Sequence, residues 1–406
     1  MMTKGSLVLY FSIIFSSSAE LFLNPFVEEE FILWNKRGDG DVDHFRIPIA
    51  TWNERGAIVA VSEARKSTSA DRSAKFLAVR RMAHSVWSKD AWSPTMFIEN
   101  DGFASDGVNL GAVLSTTNGT TIVVYGTCMH TCPKTRTFTM TSHDDGLTWG
   151  EPVDITEQIG GVYEIFAGGP GYGIQKRHDP HQGRLIFCGW NCTAPFSDDH
   201  GKTTGVKCIY SDDEGMRWKS GAWIPGIPYG QEKAAHDFTP SENQLVELSD
   251  GSILITTRND VGYHGPYRVL ARSFDAIETI PSNTITIATD LVTPGCAGSL
   301  LYVDERDLLL HSNPFNSTQR INMSLSWSTD GGRTWPGHMQ VYPGPSGYST
   351  LVRIPGEGNR NRIGLLYETG DNGGTSIEMI AMAVINLNVT GSQSLRKKGT
   401  VLRRYF

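Results

Sequence analysis

Three arginines stand where neither a core strand nor an ordinary surface asks for one. Arg46 lies in FRIPIA, Phe45 to Ala50, between two apolar residues and just before a proline. Its side chain must leave the core or meet an anion. Arg258 ends SILITTRN, and Arg320 sits in STQRINMSLSW. A guanidinium grips a carboxylate with two parallel N–H donors. Three guanidiniums at one small site would repel one another without an anionic guest between them. The chemistry they suggest is capture of a small carboxylate. It requires a framework that carries distant parts of the chain to one place.

A repeated turn points to such a framework. SHDDGLTW (Ser142 to Trp149), SDDEGMRW (Ser211 to Trp218) and STDGGRTW (Ser328 to Trp335) share the form S-x-D-x-G-x-[TR]-W. The Asp bonds nearby backbone N–H groups, the Gly permits a positive φ, and the Trp packs beneath. Such a unit joins two antiparallel strands. RSFDA (Arg272 to Ala276) reads as a worn copy, and HSVWSKDAW before Trp92 as another. Between the turns run short apolar segments starting at Gly56, Gly119, Gly183, Gly251, Arg306 and Arg362, spaced by 63, 64, 68, 55 and 56 residues. A period of this size fits one four-stranded blade per repeat, so the expected fold is all-β, a six-bladed β-propeller. The apolar segments are expected to be the inner strands, with Arg46 just ahead of the first. Two stacked β-sandwiches would also give regular strands, but would not need the same turn three times.

Composition narrows the setting. The 406-residue chain carries a formal charge of −7 and no basic stripe, which argues against nucleic acid. The first 19 residues, with Lys4, an apolar run from Leu7 to Phe15 and small residues ending at Ala19, read as a secretory signal. Residues 20–406 are then the propeller, and no later stretch could span a bilayer. Sequons at Asn118, Asn191, Asn316, Asn322 and Asn388 suggest a glycosylated luminal or secreted protein. Six cysteines (128, 132, 188, 192, 208 and 296) in an oxidising compartment favour disulfides, of open connectivity. CMHTC at Cys128 to Cys132 is read as a small disulfide loop or structural thiols rather than a metal site. DGDVD lacks the Gly and Glu of a calcium loop, and GPSG lacks the spacing of a nucleophile elbow.

FRIP followed by repeated Asp turns resembles the pattern of the sialidases, the exo-α-sialidases or neuraminidases. Within them the chain is most similar to the animal lysosomal sialidase, through FRIP, EARK, AKF, NDG, NLGAV, GIPYGQ, DF, SNP, PGPSGYS and LYE in that order. The likeness spans nearly all of the chain after the signal segment. It implies that Arg46, Arg258 and Arg320 form the substrate-carboxylate triad. Asp71, 25 residues past Arg46, takes the acid/base position. Tyr348 in PGPSGYST takes that of the nucleophile. Glu242, 16 residues before Arg258, takes that of its partner and is preferred to Glu247. Glu368 would hold the first arginine, and Arg65 would lie near the sugar's 4-hydroxyl. Asn109 falls where many bacterial sialidases have Asp.

The implied chemistry suits these residue types. Sialic acid bears a carboxylate on its anomeric carbon, so a neutral Tyr nucleophile avoids the repulsion a carboxylate would meet. Its hydroxyl needs a base, the place of Glu242. Asp71 would protonate the leaving oxygen and then deprotonate water. No cofactor or metal is required. The expected function is a retaining exo-α-sialidase, a glycoside hydrolase acting on glycoproteins, oligosaccharides and gangliosides. The alternative is a catalytically inactive, lectin-like propeller, which would need only the arginines. An Asp-turn glucanase fits less well, since neutral glucans offer no carboxylate. The resemblance also implies a protective carboxypeptidase-type protein and a β-galactosidase as partners. The tail RKKGTVLRRYF departs from the short tyrosine-based ending of the mammalian lysosomal enzyme, so a lysosome-like compartment, the cell surface and secretion all fit.

Overall fold

Aliphatic and β-branched runs such as Ile58–Arg65 and Leu308–Pro314 are buried along their whole length and form strands paired on both edges. In the computed structural model the described residues are 22–40, 42–53, 55–82, 87–100, 106–130, 135–160, 165–192, 203–228, 239–260, 265–370, 377 and 379–390. The proposed signal segment and the C-terminal tail lie outside them, as do Asp237 and Phe238 of the DF motif.

The described residues are all-β apart from four short 3-10 turns, with sheets in a propeller-like arrangement. One antiparallel sheet runs His44–Trp52, Ile58–Arg65, Lys75–Met82, Met96–Asn100. A second runs Val108–Ser115, Thr121–Thr127, Arg136–Ser142, Val153–Asp154, with Gly171–Tyr172 added parallel to its first strand. A third runs Ile165–Gly168, Leu185–Cys192, Thr203–Ser211, Lys219–Pro228, and a fourth Pro240–Glu247, Ile253–Asn259, Tyr267–Ser273, Thr286–Val292. The last is seven-stranded: Ser299–Val303, Leu308–Pro314, Ile321–Ser328, Gly337–Arg353, Arg362–Thr369, Met379–Asn386, closed by the N-terminal Phe26–Trp34.

The first strands of different sheets pack on one another. His44–Trp52 meets both Val108–Ser115 and Gly337–Arg353, and Pro240–Glu247 meets Ser299–Val303. These are the axial strands. The apolar repeats, expected on the axis, are instead the second strands, and Arg46 lies within an axial strand rather than ahead of one. A second strand is enclosed on both edges and both faces, so it reads as the most apolar run. The largest core cluster gathers Ile49, Leu110, Tyr172, Val246, Leu300 and Tyr348 from the axial segments. Other clusters fill the spaces between neighbouring sheets.

The Asp turns share one bonding scheme. In each, a Ser hydroxyl meets the Asp carboxylate and accepts a backbone N–H four residues on, as at Ser142, Ser211, Ser273 and Ser328. The RSFDA copy is therefore a full turn, although Ile277 holds the positive φ (66°) that Gly215 (88°) holds elsewhere. The Ser88 segment is not a copy; it is a 3-10 turn in which Ser88 accepts from Asp90 N. At Asp144 desolvation opposes ionisation, but bonds from Thr148, Ser142 and Leu147 pull the carboxyl down to about 2.

Cys188 and Cys208 sit opposite each other on paired strands and form a disulfide; Cys128 is also disulfide-bonded, and Cys296 is a buried free thiol. Of the sequon asparagines, Asn118 is exposed and Asn316, Asn322 and Asn388 are half-buried. Asn191 is fully buried within Leu185–Cys192, so the fold leaves no room there for a glycan, and that expectation is corrected.

Candidate active site

Irregularities in the axial strands aim the polar side chains. Pairing is bulged between Arg46 and Ile49, between Pro240 and Asn243, and between Ser346 and Ser349. These intervals hold or border Arg46, Glu242 and Tyr348. A bulge twists its strand and re-aims side chains. Ile47, a β-branched residue, takes φ 57°, an unfavourable conformation held by its N–H bond to Glu368 Oε1 at 2.8 Å.

Glu368 is fully buried and anchors two of these strands at once. Arg46 Nε donates to its Oε1 at 2.6 Å and Arg46 Nη2 to its Oε2 at 3.3 Å, while Tyr348 N donates to Oε2 at 2.8 Å. Burial acts to raise the Glu368 pKa, but Arg46 and the two backbone donors outweigh it and hold the carboxyl below its ordinary value.

Tyr348 lies at the centre. Its hydroxyl donates to Glu242 Oε1, and Arg258 Nη1 reaches both Glu242 Oε2 (2.8 Å) and the Tyr348 hydroxyl (3.4 Å). The Arg46 and Arg320 guanidiniums stand 5.8 and 5.4 Å from the Tyr348 ring centre. Three arginines distant in sequence thus surround one phenol. Burial, then the neighbouring Glu242 charge, push the Tyr348 pKa well up, with Arg258 and Arg320 opposing. Arg258 also pairs through Nε with Asp260 at 2.6 Å, and Arg320 is steadied by Gly295 O at 3.5 Å.

Asp71 sits in the loop after Ile58–Arg65 and is largely exposed. Arg65 Nη2 holds it at 2.8 Å. Burial acts to raise the Asp71 pKa, but Arg65 and more distantly Arg46 and Lys75 bring it below the usual range. Arg65 itself is 1 % exposed, with Glu63, Ser69 O and Asp71 taking its donors. It grips Asp71 from a buried position. Asn109 is buried too: its Oδ1 accepts from Lys75 Nζ at 2.6 Å and its Nδ2 donates to Gly107 O at 3.0 Å.

Glu247, the rival to Glu242, has a separate role. It is buried and accepts from Lys176 Nζ (2.9 Å), Arg177 N (2.6 Å) and His178 N (2.9 Å), and touches none of the tyrosine cluster. Glu242→Gln is therefore expected to cut turnover with little loss of stability. Glu247→Gln is expected to cost about 3 kcal/mol by leaving buried Lys176 short of its counter-charge, with turnover per folded molecule unchanged. Melting curves beside kinetics check this, and equal mild effects on both readouts would remove the distinction.

Sequence reasoning missed Asp260, Glu63 and Lys75, which brace Arg258, Arg65 and Asn109. Each looks like an ordinary surface charge along the chain, and no spacing singles it out.

This fold and site define a recognisable class. The BNR repeat-like domain family matches residues 56–360, and the chain belongs to it. Its curated relatives there are sialidases. That of Micromonospora viridifaciens is 33% identical over 243 residues, 57% of this chain and 33% of that protein. That of Bacteroides fragilis is 26% identical over 367 residues, 82% of this chain and 61% of that protein. The chain thus spans from a third to under two thirds of these relatives' length. Among solved structures, a Hadza microbial sialidase, Hz136, superposes with a TM-score of 0.69 at 23% identity, covering 88% of this chain and 68% of that one, a likeness of fold.

Proposed function

We propose that the protein is a retaining exo-α-sialidase that releases terminal α-linked sialic acid from glycoproteins, oligosaccharides and gangliosides. The observation that carries this is Tyr348 bonded to Glu242 and ringed by Arg46, Arg258 and Arg320. The arginines would bind the sialic acid carboxylate. Tyr348 Oη would attack the anomeric carbon as Glu242 Oε1 takes its proton, while Asp71 protonates the departing oxygen. Water, deprotonated by Asp71, would then break the tyrosyl–sugar bond with retention, and Tyr348 would recover its proton from Glu242. The framework is read as six blades, with the long strand Gly337–Arg353 shared by the last two. Motif order favours likeness to the animal lysosomal sialidase. With it go an acidic compartment of the secretory pathway, a protective carboxypeptidase-type partner and a β-galactosidase neighbour. The first test is release of the aryl group from a fluorogenic α-sialoside between acid and neutral pH. Sialic acid binding without release by the folded protein would favour the lectin-like reading.

Asp71→Asn is expected to lower kcat/KM on natural sialosides by about 10²- to 10⁴-fold and on aryl sialosides far less, because phenols leave without a proton; kcat, which includes attack of water, falls on both. Asp71 must begin protonated, and Arg65 lowers its pKa. So kcat/KM on natural sialosides should fall as pH rises through the lowered Asp71 pKa, at a pH below the ordinary carboxylate range. Uniform loss of kcat/KM on both substrates would make Asp71 structural.

A further inference from the structure

The axial strands have a second end. Following each from its site residue, Arg46 leads to Trp52, Glu242 to Glu247 and Tyr348 to Arg353. Five or six residues of strand separate the members of each pair by about 17–20 Å. At that far end lies a cavity of about 520 Å³, lined in part by Trp52, Thr117, Gln175, Arg177 and Arg353 and by none of the tyrosine cluster. Its volume is that of a small-ligand site.

Its lining has a particular chemistry. Trp52 is half-buried and pinned edge-on by Tyr172, ring centres 5.3 Å apart at 74°, so the indole presents a fixed surface. The charges are largely matched. Arg177 is paired with Asp304 and Glu247, Arg353 with Asp304 and Glu305, and Arg362 with Glu28, while Arg360 lines the cavity from an exposed position. Matched ions leave planar hydrogen-bonding groups with little net field. Such a lining selects neither an anion nor a cation. It suits a neutral polyhydroxylated ligand, whose C–H face packs on the indole while its hydroxyls meet amide, guanidinium and threonine groups. The surroundings point the same way. Exposed sequon residue Asn118 adjoins the lining residue Thr117, whose N–H donates to Gln175 Oε1 at 2.7 Å, and Asn388 adjoins the lining residue Leu387.

We propose that this cavity is a second carbohydrate site, for a neutral oligosaccharide of about two or three sugars. It stands independently of the catalytic reading. The sugar has two sources, the chain's own glycan at Asn118 or Asn388 or a glycan arm of another molecule.

The test is calorimetric titration of the full chain with the neutral N-glycan core pentasaccharide, beside aryl-sialoside turnover. The protein is taken glycosylated and as the Asn118→Gln, Asn388→Gln double variant. The double variant is expected to bind with a dissociation constant on the order of 1 mM. Trp52→Phe and Gln175→Ala, each made in that double variant, are expected to weaken binding about tenfold with turnover unchanged. Binding only after the glycans are removed would assign the site to the chain's own glycan. Binding in both forms would assign it to glycans from outside. No heat with the double variant, or equal binding in Trp52→Phe and Gln175→Ala, would overturn the proposal. Binding by a protein that never turns over a sialoside would overturn the proposed catalysis and leave this site standing.

Discussion

Tyr348→Phe is expected to lower aryl-sialoside turnover by about 10³-fold or more while sialic acid binding survives. The substitution removes one oxygen and keeps the ring. That ring packs in the axial core and keeps its place beside Arg46 and Arg320. Glu242 loses the phenol but retains Arg258 at 2.8 Å, so no carboxylate is left stranded. One lost hydrogen bond costs about 1 kcal/mol, small against a folded domain. Binding rests on the three guanidiniums, and each keeps a partner other than the phenol: Arg46 has Glu368, Arg258 has Glu242 and Asp260, and Arg320 has Gly295 O. The expected signature is therefore a collapse of kcat with ligand affinity kept. Burst kinetics with the wild type and calorimetry with sialic acid for both proteins would check it. Near-normal turnover by Tyr348→Phe would remove the tyrosine from the nucleophile position.

What the sequence could reveal depended on range. The Asp turns are local: Ser142, Asp144, Gly146 and Thr148 satisfy one another within seven residues, so their spacing is written in the chain. Even the degraded copy at Asp275 could be found, since Ser273 and Thr279 keep the two oxygens that matter. Strand placement was harder. Axial strands such as Pro240–Glu247 carry polar residues to the site at one end and to the far cavity at the other, which dilutes their apolar pattern. The enclosed second strands look more like a core, and their pattern points to an axis that they do not line. The arginine triad was legible through motif order, not through any periodicity. The residues bracing it were not. Glu63 lies two residues from Arg65 along the chain, yet its second oxygen accepts from Leu110 N, a partner 47 residues away. Asn191 fails for a related reason: a sequon records a local recognition signal, whereas its burial is set by neighbouring strands.

Glu368→Gln tests the deepest part of this arrangement, and the largest loss of stability is expected there. The wild-type carboxylate accepts four N–H groups: Nε and Nη2 of Arg46, Ile47 N and Tyr348 N. A glutamine fills the same space but offers one oxygen. Its NH₂ must then face either Arg46 Nε and Ile47 N or Arg46 Nη2 and Tyr348 N, donor against donor. Arg46 would also keep its charge while losing its bonded counterion, with Asp71 acting only from a distance. Breaking a buried pair in this way costs about 3–5 kcal/mol. The backbone gives no relief, because Ile47 needs its bond to Glu368 to hold φ 57°. At Gly347 an added Cβ would come within 2.1 Å of Glu368 Oε2, so the chain passes the carboxylate as closely as it can. The pH dependence has a definite sign. The folded pKa of Glu368 lies below its unfolded value, so its contribution is complete above about pH 5 and lost as pH falls through the folded pKa. The gap in melting temperature between wild type and Glu368→Gln should therefore be wide at neutral pH and narrow as pH falls through the lowered folded pKa. Turnover should fall with it even well below the melting temperature, because Arg46 and the Tyr348 backbone are both released. A gap that stayed constant down to strong acid would mean that Glu368 contributes shape and not charge. The arginine beside it would then owe its position to packing alone.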